Sequence, residues 1–262
     1  MKPRLVSGIV LLLSAVALVL AAPAYATKSD VDKEKRWAEQ VVDGLLDGDE
    51  LWLDDGNGHE FLGILTEGDA GSGRAVILVH GIGVHPNWPD VIYPLRVGLL
   101  EHGTTTLSIQ MPILANDAES SDYVPLFAEV PGRFEAAVKY LNDNGYSRVS
   151  LVAHSMGTSM SAYYLTRTRD HGIDSFVSIG MGLGSLTPNN IDSLKLIDVD
   201  ILDLYGSQDL EPVVANAGPR AAAANSRQGQ KYRQIEVPGA GHFFQGHESD
   251  LVGHVIEWLD QH

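Results

Sequence analysis

Val149-Ser150-Leu151-Val152-Ala153-His154-Ser155-Met156-Gly157, followed by Thr158-Ser159-Met160-Ser161-Ala162, is the stretch whose reading decides the fold. Its first half is apolar and β-branched, the pattern of a buried strand, and its second half is small and helix-tolerant. A strand that runs through a sharp turn straight into a helix lifts the turn residue, Ser155, above the sheet. The same turn folds strand and helix tightly together, so the positions two residues either side must be small. Ala153 and Gly157 meet that demand. Alone, the pentapeptide also fits a plain loop serine between a strand and a helix, and the flanking segments have to decide.

Upstream, Ala75 to His80 is a continuous apolar run, too uniform for a half-exposed strand, and it places a strand inside a parallel sheet. It ends in His80-Gly81-Ile82-Gly83. Val91 to His102 reads as a helix with Val91, Leu95, Leu99 and Leu100 on its apolar face and Gly103 as its stop. Thr104 to Met111 is a second sheet strand. Ile113 to Pro131, with two prolines and several acids, reads as an extended loop, and Gly132 to Asn144 as the next helix. Nearer the start, Lys28 to Asp49 carries Trp37, Val41 and Leu45 on a four-residue beat, with Val42 and Leu46 beside them, and predicts an amphipathic helix laid on the body. Leu51 to Leu53 and Phe61 to Thr66 flank Asp54-Asp55-Gly56-Asn57-Gly58 as a β-hairpin or meander. Turn chemistry explains that acidic loop, and the ligand spacing of a calcium loop is absent.

Downstream of Ser155 the alternation continues. A helix runs to about Arg169, then come strands Ser175 to Gly180 and Ile201 to Tyr205, an Ala-rich helix Pro212 to Arg227, and a last strand Tyr232 to Val237. The final helix buries Leu251, Val255, Trp258 and Leu259, with His247, His254 and His262 expected at the surface. Only Met181 to Asp200 separates two of the strands, room for no more than a short lid. Strands alternating with helices predict an α/β fold: a doubly wound, mostly parallel sheet of about eight strands, helices on both faces, and a minimal lid.

Ser155, Asp209 and His242 occur in that order, and each lies where a strand ends. As a set they resemble the α/β-hydrolase superfamily of serine hydrolases, over the whole chain beyond the leader. The pentapeptide is then a nucleophile elbow with Ala153 in place of the usual first glycine, as in some bacterial lipases. The runs His80 to Arg96 and Leu107 to Pro112 are similar to an uncharacterised group of exported bacterial proteins within that superfamily. The resemblance implies Ser155 as nucleophile, His242 as general base and Asp209 as the acid that orients it. Asp203, inside its strand, and Glu211, further along, are poorer candidates for the acid. It also implies an oxyanion hole from the backbone N–H groups of Ile82 and Met156. Carboxylic ester hydrolysis through an acyl-enzyme is the leading expectation, with no metal and no organic cofactor. His85, Trp88 and His154 are candidate substrate-binding residues at the mouth, although packing under the loop is an equal use for the aromatics. His80, His85 and His154 could also be read as a metal site, but their spacing is not zinc-like.

Lys2 and Arg4 precede an apolar run, Leu5 to Ala22, that closes on Ala24-Tyr25-Ala26. This predicts a cleavable signal peptide over 1–26, a mature chain starting at Thr27, and a single domain over 27–262, periplasmic or secreted. A retained membrane anchor is the alternative; lipid attachment is excluded, since the chain has 0 cysteines. The same count excludes disulfides, so the core alone must hold the fold. The formal net charge of −16 argues against nucleic acid or anionic membrane surfaces as partners. A small-molecule ester or other acyl substrate is the expected partner; oligomeric state is not legible. The competing class is a non-catalytic binding protein of the envelope built on the same scaffold, suggested by the length of His85 to Arg96.

Overall fold

A parallel strand buried on both faces divides its side chains between two cores, and the central strands do so residue by residue. The computed structural model describes residues 29–69, 71–184, 189–227 and 229–262, so the leader read over 1–26 lies outside the described residues. One eight-stranded sheet runs through the molecule: β1 (Asp49–Asp54), β2 (Glu60–Thr66), β3 (Arg74–Val79), β4 (Thr105–Ile109), β5 (Arg148–His154), β6 (Ser175–Ile179), β7 (Asp200–Gln208) and β8 (Tyr232–Gly241). Their order is β1-β2-β4-β3-β5-β6-β7-β8; only the pairs β1–β2 and β2–β4 are antiparallel.

Ala75, Ile77, Val79, Leu151 and Ala153 point to one core, where α3 (Val130–Asp143) and α4 (Met156–Arg167) contribute Phe134, Ala137, Leu141, Met160 and Tyr164. Val76, Leu78 and Val152 point to the other, packed by Leu95 and Leu99 of α2 (Ile92–Glu101) and by Leu251, Val255 and Trp258 of α8 (Glu248–Leu259). A smaller cluster seats α1 (Val31–Asp43) on β2 through Ala38, Val41, Leu62 and Ile64. The fold is the doubly wound α/β sheet that the strand–helix alternation predicts.

Several local expectations are corrected. The segment read as an extended loop holds a 3₁₀ helix, Ser120–Ala128, which buries Tyr123, Leu126 and Phe127. Pro131 stands in the first turn of α3, where its missing N–H costs nothing. The Ala-rich helix is two helices, α6 (Glu211–Ala215) and α7 (Ala217–Ala224), meeting at Asn216. Pro219 accounts for the break, since a continuous helix would drive its ring into the carbonyl four residues back, at Ala215. Between β6 and β7 the described residues add only α5 (Asn190–Leu194), consistent with a minimal lid. α1 stops at Gly44 and leaves Leu46 89% exposed, while it buries Lys33 and Glu34, which no hydropathy pattern would select. His262 is tucked in too, stacked on Trp258 with its Nε2 3.1 Å from Asp200.

Candidate active site

Strand register brings the predicted residues together. Val79 pairs with Ala153, so the chain just beyond β3, at Gly81, faces Ser155 beyond β5. Gln208 pairs with Gly241 after a bulge at Gly206/Gln208, and the next residue on each strand is Asp209 and His242. A bulge re-aims side chains at a strand end.

Ser155 sits at φ 55°, ψ −120°, a conformation that few non-glycine residues adopt. Its surroundings enforce it. The Ser155 N–H donates to Ile179 O at 2.9 Å, and Thr158 returns both its N–H (3.0 Å) and its hydroxyl (2.6 Å) to the Ser155 carbonyl. A Cβ on Gly157 would stand 2.6 Å from His80 O, so only glycine fits there. The backbone is thereby held in a strained turn that projects Oγ from the sheet end, with the Met156 N–H at the first turn of α4.

His242 Nε2 is 2.9 Å from Ser155 Oγ and His242 Nδ1 is 2.6 Å from Asp209 Oδ1. The Asp209 carboxylate is buried, and the same Oδ1 accepts the Leu210 N–H at 2.7 Å. Asp203 is spoken for elsewhere: Arg220 Nε, the Tyr232 hydroxyl and Gln234 Nε2 all donate to its Oδ2, at 2.7, 2.7 and 2.9 Å. Glu211 begins α6 and is exposed. His154 is buried, and its Nε2 donates to the His242 carbonyl at 2.9 Å, bracing the loop that carries His242.

The loop after β3 is held from within. His80 Nε2 accepts the Met111 N–H at 2.9 Å, which leaves Nδ1 as the donor to Gly81 O at 2.8 Å. Burial pushes the imidazoles of His80 and His154 down to about 3 and about 4; for His154 the neighbouring His242 adds to the effect, partly offset by Asp209 and Asp90. A histidine held neutral by the fold stabilises it fully above the unfolded value near 6.5. That contribution is lost as pH falls toward the folded value, because the unfolded chain then binds a proton that the native state refuses. At pH 5 the loss is about 2 kcal/mol per residue. Urea unfolding at pH 7 and pH 5 should therefore show wild type losing about 2 kcal/mol more than His154→Gln, which keeps a donor for the His242 carbonyl. Equal losses in the two proteins would refute the assignment.

The profile of a family described as "Protein of unknown function (DUF3530)" matches residues 3–131 and 125–261. The chain belongs to that family. No curated protein matches it. Among solved structures it is similar to Est1E from Butyrivibrio proteoclasticus, with 15% identity, TM-score 0.63, and 82% of this chain and 98% of that one covered. Dienelactone hydrolase from Anabaena variabilis is 21% identical, with TM-score 0.63 and coverages of 82% and 98%. XC6422 from Xanthomonas campestris, described as an α/β serine hydrolase without lid, is 16% identical, with TM-score 0.61 and coverages of 82% and 95%. At such identities the likeness is one of fold. This DUF3530 chain has the α/β-hydrolase fold.

An open cavity of about 330 Å³ lies beside Ser155 and His242, walled by Ile82, Met156, Leu183, Leu210 and Val213. The predicted oxyanion residues Ile82 and Met156 thus border it, but His85, Trp88 and His154 are not in its lining. The His85 ring packs edge-on against Trp37 (5.1 Å between centroids) and Trp88 (5.4 Å), and Trp88 Nε1 donates to Asp90 at 3.0 Å. The long segment that follows is a structural brace of this DUF3530 chain: buried Arg96 donates to Asn87, to the Asp47 carbonyl and to Thr66. Sequence reasoning missed Ser159, Leu183, Leu210 and Val213 as wall residues. Ser159 alone carried a signal, since it stands one helical turn from Ser155.

Proposed function

We propose that this protein is an exported serine hydrolase, most simply a carboxylesterase- or lipase-like acyl-ester hydrolase. The observation that carries the reading is the unbroken chain from Asp209 through His242 to Ser155 at the edge of an open cavity. His242 takes the Ser155 proton as Oγ attacks the carbonyl, and the buried Asp209 carboxylate fixes the Nδ1–H tautomer and stabilises the imidazolium. Negative charge gathers on the former carbonyl oxygen, to which the Ile82 and Met156 N–H groups would donate. Collapse expels the alcohol, which takes the proton from His242. Water then attacks the acyl-enzyme by the same route and releases the acid. No step calls on a metal or an organic cofactor. Thioester, amide and lactone carbonyls are open to the same attack, and a leaving-group series ranks them.

An ester with an apolar portion fits the half-exposed Leu183 and Leu210 at the rim. The n-region, apolar run and Ala-x-Ala site over 1–26 support a periplasmic or secreted location for the mature chain.

A fluorophosphonate probe tests the reading. Wild type should be labelled at one site and Ser155→Ala left unlabelled. Folded wild type that resists labelling would discard the hydrolase and favour the non-catalytic binding protein.

A further inference from the structure

The cavity wall contains a buried side-chain hydroxyl, that of Ser159, besides the Ile82 and Met156 residues assigned to the oxyanion hole. Ser159 is 6% exposed and lies in the lining one turn of α4 beyond Ser155. Its Oγ accepts a hydrogen bond from Asn190 Nδ2 at 2.8 Å. Asn190, 3% exposed, is fixed in turn by Nδ2 to Gly182 O at 2.9 Å and by its N–H to Leu183 O at 2.8 Å. The hydroxyl oxygen is therefore held in place by a donor that is itself fixed. Its proton meets no acceptor among the described residues. Serine in a helix commonly returns that proton to the carbonyl four residues back, but here Thr158 occupies the Ser155 carbonyl. The side chains of Ile82, Met156, Leu183 and Val213 carry no oxygen to accept it, Ser120 in the same lining is exposed, and no Asp, Glu, Lys or Arg lines the cavity among the described residues.

We infer that Ser159 is a specificity-determining residue that reads a neutral oxygen on the acyl group of the substrate. This rests on the hydrolase reading above. Four residues of α-helix advance about 6 Å, which places the matching acceptor about three or four bonds beyond the reacting carbonyl carbon. The substrate class is then esters of acyl groups carrying a hydroxyl or keto oxygen near the third or fourth carbon. A carboxylate at that position is disfavoured, because no Lys or Arg lines the cavity among the described residues and the chain carries a net charge of −16. An unsubstituted chain leaves the Ser159 proton buried against apolar atoms, which is the penalty that generates discrimination.

The test compares 4-nitrophenyl 3-hydroxybutanoate with 4-nitrophenyl butanoate. Wild type should prefer the hydroxy ester in kcat/KM by about tenfold, and Ser159→Ala should bring the ratio to about one. Both esters are assayed on one preparation, so any loss of folded enzyme cancels from the ratio. A second arm uses Ser155→Ala, with or without Ser159→Ala, and measures binding of 3-hydroxybutanamide against butanamide. If both esters are hydrolysed without preference, the inference is overturned and the hydrolase reading survives. If neither ester is hydrolysed, the hydrolase reading fails and binding decides: preference for the hydroxy amide that vanishes with Ser159→Ala upholds the subsite. Equal binding overturns it.

Discussion

Asp209→Asn is expected to lower kcat/KM for a simple nitrophenyl ester by about four orders of magnitude while the protein stays folded. The carboxylate does two things that an amide cannot. Its Oδ1, 2.6 Å from His242 Nδ1, accepts the Nδ1–H hydrogen bond with no competing NH2 donor beside it, which fixes which ring nitrogen is free to take the Ser155 hydrogen. It also lies, buried, beside the imidazolium that forms during attack, where a full charge acts with little screening. Asparagine has nearly the same shape, so the Leu210 N–H keeps an acceptor and the strand ends stay paired. Circular dichroism and urea unfolding should change little. Asp203→Asn is the contrasting variant. It removes the charge facing Arg220 and should weaken the fold, yet leave turnover per folded molecule within tenfold of wild type. If instead Asp209→Asn keeps its activity within tenfold, the role given to Asp209 is wrong, and with it the mechanism as drawn.

The central strands were legible because a strand covered on both faces must be apolar along its buried length, and Ala75 to Val79 and Leu151 to Ala153 are. The candidate site was legible for a related reason: its residues follow strand ends in a fixed order, so locating the strands locates the loops. Register was not. Nothing in Gly206-Ser207-Gln208 announces the bulge that lets Gln208 pair with Gly241 and so sets Asp209 beside His242. Nor does a His next to the turn serine announce that it faces inward; His154 reads as a mouth residue until the His242 carbonyl is found on its Nε2. The 3₁₀ helix was hidden by Pro125, which a short helix with looser hydrogen bonding tolerates. Buried charge was hidden most completely, since pattern reading assigns every Glu and Lys of a helix to its wet face.

Glu34 is the case with the largest consequence. Its carboxylate, on α1, takes both oxygens to Arg133 Nη2 of α3 at 3.2 and 3.0 Å, and His59 Nε2 lies 3.1 Å from Oε2. The Arg133 side chain is fully buried, with Nη1 on the Gln110 carbonyl at 2.9 Å and its guanidinium over the Phe61 ring. Glu34→Ala would strand that guanidinium in the core, and the expected loss is about 3–5 kcal/mol of unfolding free energy, or on the order of 10 °C in Tm. Because a buried ion pair roughly breaks even against apolar replacements, Glu34→Leu combined with Arg133→Met should recover most of that loss. The chain of contacts reaches the site as well: Arg133 holds the Gln110 carbonyl, and the next residue, Met111, gives its N–H to His80, which holds Gly81. Loosening α1 therefore frees the loop that presents the Ile82 N–H. Glu34→Ala should lower kcat more than it raises KM, as expected when an interaction made chiefly in the transition state is disturbed. Urea midpoints of the single and double variants decide the energetic claim. A Glu34→Ala protein within 1 kcal/mol of wild type, a bound set by the desolvation cost of an unpaired ion, would show that water reaches Arg133 and that α1 does not brace the site.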